Sequence, residues 1–178
     1  MKLAACDPGD AAEFQQLFIT TFTASEGEAE GRLIGDLVGD LINGTDSRDR
    51  RCFVATDNDQ IVGGIVFSRL SFENGADAFI LAPVAVRPDV QGRGIGQRLI
   101  RFGLAALAQE GVELVLTYGD PGFYAKVGFA PTTAAVIPPP LPLQHPEGWL
   151  AQSLTGQEIE PIQGPCSCVA ALSNPHFW

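Results

Sequence analysis

A mixed α/β fold is what this chain predicts, and three observations lead there. Two stretches near the N-terminus carry apolar residues at helical spacing: Phe14, Phe18 and Phe22 in one, and Leu33, Ile34, Leu37, Val38, Leu41 and Ile42 in the other. Runs rich in strand formers follow at 52–56, 61–68 and 78–86, separated by turn residues. A glycine-rich turn, an amphipathic stretch at 95–110 and an apolar run at 112–118 then complete a β-α-β crossover, the connection that joins parallel strands.

Composition sets the bounds. At 178 residues the chain is about one domain long and large enough to bury a core. A net charge of −10 disfavours nucleic acid and anionic membrane surfaces as partners, and suits a cationic one better. Cys6, Cys52, Cys166 and Cys168 are too few and too irregular for a disulfide scaffold, and two histidines leave zinc spacings unfilled, so reduced and mostly buried thiols are expected and no metal. The opening Met-Lys-Leu-Ala-Ala-Cys lacks the apolar stretch of a secretion signal, and no apolar run could span a bilayer. A soluble, cytoplasmic protein is the expectation.

Lys2 to Ala5 reads as a short strand, ended by Asp7-Pro8-Gly9-Asp10, with Asp10 placed to cap a helix over about 11–22. A loose acidic link holding Glu26, Glu28 and Glu30 leads to the second helix, closed by Asn43-Gly44. These carboxylates suit a solvated first turn, and local cations pair with them poorly. Asp57-Asn58-Asp59-Gln60 is a hairpin signal between the first two β-rich runs, and Asn74-Gly75 marks the turn before the third. Pro83 cannot donate to a ladder, so the strand at 78–86 should bulge there or lose its partner. The helix at 95–110 is expected to bury Ile95, Leu99, Phe102 and Ala106, widened by Ile100, Leu104 and Leu107, and to end at Gly111. Beyond Ala130 the pattern weakens: 138–142 is a proline-rich extended stretch, and 149–154 and 166–172 offer two final strands, with Cys166 and Cys168 on one face.

The chemistry gathers at Ala82-Pro83-Val84-Ala85-Val86-Arg87-Pro88-Asp89-Val90-Gln91-Gly92-Arg93-Gly94-Ile95-Gly96-Gln97-Arg98-Leu99. Alternate glycines let successive backbone N–H groups converge just ahead of a helix start, whose own N–H groups and dipole favour an anion. A dinucleotide G-x-G-x-x-G would need glycine at Gln97 or Leu99, and a G-x-x-x-x-G-K-[ST] loop is absent, the lysines being Lys2 and Lys126. A nucleotide-binding oxidoreductase and an ATPase are both disfavoured.

The same stretch resembles motif A of the GCN5-related N-acetyltransferases (GNAT), [Q/R]-x-x-G-x-[G/A] after a V-x-V-x-P strand: Gln91-Gly92-Arg93-Gly94-Ile95-Gly96 after Val84-Ala85-Val86-Arg87-Pro88. Tyr124 to Gly128-Phe129 matches that family's Y-x-x-x-G-F, and the preceding Gly-Asp-Pro resembles its YhbS-like branch. The likeness covers Ile61 to Phe129 well and the N-terminal helices loosely. It implies one N-acetyltransferase domain over 1–178: a mixed sheet of six to seven strands flanked by about four helices, with the fourth and fifth strands splayed apart.

By the same resemblance, acetyl-CoA is the cosubstrate. The loop residues Gln91, Gly92, Arg93, Gly94, Ile95, Gly96 and Gln97 would hold its diphosphate, and Val84, Ala85 and Val86 its pantetheine. An amine would attack the thioester directly, with a backbone N–H near Val84 as oxyanion donor. Tyr124 would protonate the departing thiolate; packing against the sheet, or a hydrogen bond to the cofactor alone, are its other roles. For the base, Glu30 is first choice, with Glu28, Asp77 and water as alternatives. A small-molecule or peptide amine is the expected acceptor, and a catalytically silent acyl-CoA sensor is the competing function. Oligomeric state stays open, a homodimer included.

Overall fold

The computed structural model describes residues 1–178 as eight strands and four α-helices: β1 (Lys2–Ala5), α1 (Ala11–Glu26), α2 (Glu28–Gly44), β2 (Arg50–Asp57), β3 (Gln60–Phe72), β4 (Ala78–Val86), α3 (Ile95–Gln109), β5 (Leu114–Tyr118), α4 (Pro121–Tyr124), β6 (Ala130–Pro131), β7 (Trp149–Ser153) and β8 (Cys166–Cys168). The two-residue β6 is the strand that the sequence did not announce. The chain forms two compact units, 1–67 with 83–103, and 68–82 with 104–178. β3, β4 and α3 each contribute to both.

In the first unit the strand order is β1-β2-β3-β4, with β1 antiparallel to β2 from Lys2↔Thr56 to Ala5↔Phe53. Asn58 and Asp59 both take positive φ (48° and 60°), the two-residue turn whose twist matches paired strands. Adjacent glycines on β3 set how closely helices approach its two faces. A Cβ at Gly64 would come within 2.8 Å of the Phe14 ring on α1, and one at Gly63 within 3.3 Å of Ile95 on α3. Phe14, Phe18, Val38, Leu41, Leu99 and Ile100 are completely buried there. Removing such a side chain costs about 2–5 kcal/mol.

Four expectations need correction in this unit. Helix α1 runs four residues past Phe22, which is half-buried, and the acidic link shrinks to Gly27 alone, since Glu28 already begins α2. Asp10 stands at the N-cap position without a capping hydrogen bond; Asp7 takes an N–H instead, from Gly9 at 2.9 Å. Phe102 is 37% exposed, its ring edge on Phe53 at 5.7 Å, because the buried stripe of α3 follows Leu99, Ile100, Leu104 and Leu107. Cys6 and Cys52, like Cys166 and Cys168 of the second unit, are free thiols at intermediate exposure and not core residues.

The second unit holds the parallel pair. β4 and β5 run in register from Ala78↔Leu114 to Leu81↔Thr117, β7 is antiparallel to β5, β6 is antiparallel to β7, and β8 is antiparallel to the end of β3. The proline-rich stretch forms no strand, and the two residues before it are pinned: the indole of Trp149 donates to the Ile137 carbonyl at 2.9 Å, and Ile162 N–H donates to the Val136 carbonyl. The Trp178 indole likewise donates to the Leu172 carbonyl at 2.8 Å. The last expected strand is only three residues, Cys166–Cys168, after which the chain turns into a short 3-10 helix. No helix is long and apolar enough to cross a membrane.

Candidate active site

The organising loop lies in the first unit. The register between β4 and β5 goes no further than Leu81, two residues before Pro83, where the sequence predicts that pairing should fail. Along the remainder of β4 burial alternates, Pro83 and Ala85 inward, Val84 and Val86 half-buried. Arg87 N–H donates to the Val62 carbonyl at 2.9 Å and keeps the end of β4 tied to β3.

The Val86 carbonyl is a junction. It accepts from the Gln91 side-chain amide at 2.9 Å and from the Thr21 hydroxyl of α1 at 3.4 Å. Gln91, expected as a cofactor contact, therefore fastens the loop back onto its strand. Arg87 is engaged by Asp89, with both guanidinium contacts at 3.0 Å or less, and by Gln60 at 3.1 Å.

Gly92 and Gly94 have φ of 76° and 73°, while Arg93 between them stays outside the left-handed region. Such alternation turns successive N–H groups toward one side, forming an anion-binding concavity. No atom lies within 4 Å of a Cβ built at either glycine, so conformation and not crowding demands glycine here. α3 starts at Ile95, and its first backbone bond is Arg98 N–H to Gly94 C=O at 3.1 Å. The N–H groups of Ile95, Gly96 and Gln97 precede that bond and have no intrahelical partner. No carboxylate occurs between Gln91 and Gln97, and the exposed Arg93 adds positive charge.

Tyr124 belongs to the second unit. Asp120 caps α4 by accepting from Gly122 N–H at 2.9 Å, with Pro121 in the first turn, so the Gly-Asp-Pro signature is a helix start. A 3-10 turn, Ala125–Val127, follows α4 and ends at a left-handed Gly128, and Phe129 N–H donates to the Tyr124 carbonyl at 3.2 Å. The Tyr124 ring meets Phe123 and Phe129 edge-on at 5.0 and 5.7 Å. Gly119 lies against it, since a Cβ there would come within 2.8 Å of Tyr124 Cε2.

Burial raises the Tyr124 phenol above its ordinary pKa of 10, opposed by a hydrogen bond with Thr117 and reinforced by the Asp120 charge. The group is thus neutral at pH 7. Thr117 in turn donates to the Leu81 carbonyl at 2.9 Å, at the last register pair of β4 and β5. Sequence reasoning passed over Thr117; a buried threonine in a largely apolar strand was the available signal.

The carboxylate candidates separate. Asp77, in the second unit, forms an ion pair with Arg69 at 2.7 Å, and it stands seven residues before Val84 on the chain. Glu28 pairs with Arg32 at 3.0 Å, contrary to the expectation that these glutamates lack local cations. Glu30 is half-buried in the first turn of α2. Thr21, bonded to Val86, precedes the Gly27 joint by six residues, about 9 Å of helix rise.

Comparison with known proteins agrees with this geometry. Residues 48–131 match the acetyltransferase (GNAT) domain family. The uncharacterized N-acetyltransferase YjhQ of Escherichia coli K12 is 39% identical over 104 residues, 55% of this chain and 58% of that protein. The uncharacterized N-acetyltransferase YhbS of the same organism is 35% identical over 78 residues, 43% and 47% of the two chains. The match thus spans about half the length of these curated relatives. A GNAT family acetyltransferase of Brucella melitensis, solved with acetyl-CoA, aligns over 96% of both chains with TM-score 0.75 and 27% identity. YhbS of Escherichia coli, solved with CoA, shares the fold at TM-score 0.80 and 24% identity over 97% of this chain and 92% of that one. The matched segment, the curated relatives and the shared fold agree: residues 48–131 match the acetyltransferase (GNAT) domain, and the chain has the GNAT fold.

Proposed function

We propose that the chain, as one N-acetyltransferase domain over 1–178, transfers the acetyl group of acetyl-CoA to an amine, a small molecule or a peptide, in the cytoplasm. One observation carries this: two left-handed glycines, Gly92 and Gly94, immediately ahead of α3 in the loop that follows the strand β4. The backbone around them fits a diphosphate: convergent N–H groups, open space on the Cβ side, no carboxylate from Gln91 to Gln97, and the Arg93 cation. Relatives crystallised with acetyl-CoA or CoA support the choice of carrier.

Gly92, Arg93, Gly94, Ile95, Gly96 and Gln97 would hold the diphosphate through backbone and charge, while Gln91 keeps the loop on β4. Val84, Ala85 and Val86 would offer backbone partners to the pantetheine arm, and the Val84 N–H is the candidate donor to the developing oxyanion. Acetyl-CoA supplies an activated thioester, so the chain has to orient the amine, stabilise charge and move protons. As the new C–N bond forms and the C–S bond breaks, Tyr124 gives its phenolic proton to the thiolate. Its raised pKa keeps that proton in place at working pH. Glu30 takes the proton that the ammonium sheds. Glu28, which pairs with Arg32, Asp77, which pairs with Arg69, and water are the alternatives.

The test is Tyr124→Phe in a thiol-release assay over an amine panel. Turnover should fall by about 10²-fold or more while acetyl-CoA affinity stays the same. Unchanged turnover would remove Tyr124 from the chemistry. Binding of acetyl-CoA with no thiol release for any amine would leave a silent acyl-CoA sensor.

A further inference from the structure

A cavity of about 350 Å³ in the second unit has no role in this scheme. Tyr118 and Pro121 form its wall, the backbone of Gly119 and Gly148 adds to it, and Asp120 and Glu147 line it beside His145. Its volume falls in the range of small-molecule sites and its lining is mostly apolar. The wall is fixed in position. The Tyr118 hydroxyl accepts the His145 N–H at 2.7 Å, and the Tyr118 ring stacks on Trp178 with centroids 6.3 Å apart and planes 15° off parallel.

The formal charges in the lining are both negative. Asp120 commits Oδ1 to the Gly122 N–H, and the Glu147 carboxylate faces His145 Nδ1 at 3.6 Å. An inorganic cation is a poor match, since hard ions ask for six or more oxygens and an aromatic wall supplies none. An organic ammonium ion matches on every side. Carboxylates give it charge-assisted hydrogen bonds, a tyrosine ring attracts cations, and the apolar wall buries a hydrocarbon body. The cavity also adjoins the proposed acid: Gly119, part of its lining, packs directly on the Tyr124 ring.

We infer that this cavity binds a small organic ammonium ion with a hydrocarbon body, through Asp120, Glu147 and Tyr118, and that the acceptor amines of this chain belong to that class. The second half rests on the acetyltransferase function; the binding does not. An alcohol of the same shape loses the charge-assisted contacts, and a carboxylate of that shape meets two like charges.

The experiment titrates the full, ¹⁵N-labelled chain at pH 7, without acetyl-CoA, with phenethylammonium, 2-phenylethanol or 3-phenylpropionate. The indole N–H resonance of Trp178, one of two in the chain, is followed because that ring stacks on Tyr118. The ammonium ion should give a saturable shift, the alcohol at least about tenfold weaker binding, and the carboxylate none at equal concentration. Asp120→Asn keeps a helix cap of equal quality and Glu147→Gln changes an exposed residue, so together they should weaken the ammonium about tenfold or more without lowering Tm. Equal response to all three ligands, no response to the ammonium, no loss in the double variant, or displacement of the ammonium by CoA overturns the inference. Acetyl-CoA affinity, measured separately by calorimetry, reports on the acetyltransferase function and is expected to be the same in the double variant.

Discussion

Gly94→Ala tests the diphosphate loop at its most informative position. Gly94 has φ of 73° and no atom within 4 Å of a Cβ built on it, so the added methyl meets nothing and the whole cost is conformational. Holding an L-residue in the left-handed region costs roughly 1–2 kcal/mol. The loop is exposed, so the free variant can relax away from that conformation and must be driven back when the carrier binds. The cost therefore appears in affinity: about 5- to 30-fold weaker acetyl-CoA, the factor by which the competent conformation is depopulated. Calorimetric titration reads it, with a thermal melt to show that the fold is intact. Gly44→Ala is the control, since Gly44 also has open space but no positive φ. A Gly94→Ala dissociation constant within about twofold of wild type, or an equal loss in Gly44→Ala, would refute the conformational argument.

Other outcomes follow from the same geometry. Because burial raises the Tyr124 pKa, its proton is present below that value and lost only as pH rises through it, so the pH–rate profile should show no alkaline fall from this group below pH 10. Thr117→Val removes the hydroxyl that joins Tyr124 to the Leu81 carbonyl; stability should drop by about 1–3 kcal/mol in a denaturant titration, and kcat should fall with KM for acetyl-CoA unchanged. Ser68 is completely buried and its hydroxyl has no hydrogen-bond partner, so Ser68→Ala should be neutral or stabilising by up to about 1 kcal/mol in the same titration.

The fold was legible where one residue type admits one backbone state. Asn58-Asp59 foretold the hairpin, Gly111 the end of α3, and Pro83 a stretch of β4 that does not pair with β5, the register ending at Leu81. The glycine loop was readable for the same reason. Helix faces were less so: Phe102 sits at plausible spacing, yet burial of Ile100 and Leu104 rotates it outward, an outcome set by the sheet surface beneath α3. Side-chain partners were mostly hidden, because they depend on how the chain folds back across a turn. Gln91 locking onto Val86, Arg69 occupying Asp77 and Thr117 meeting Tyr124 each reach across a turn, whose path the spacing of residues does not encode. The segment after Ala130 gave few signals because its order comes from two indoles bonding to carbonyls, and tryptophan carries no turn or period of its own.

The most direct measurement compares acetyl-CoA with S-acetylpantetheine, which keeps the thioester arm but lacks the diphosphate, in the wild-type chain and in Gly94→Ala. At least two charge-assisted hydrogen bonds from the loop, each worth about 1.5–3 kcal/mol, predict acetyl-CoA binding about 100-fold tighter or more in wild type. The glycine substitution should then weaken acetyl-CoA alone. Equal affinities for the two ligands, or equal weakening of both by Gly94→Ala, would contradict a backbone grip on the diphosphate.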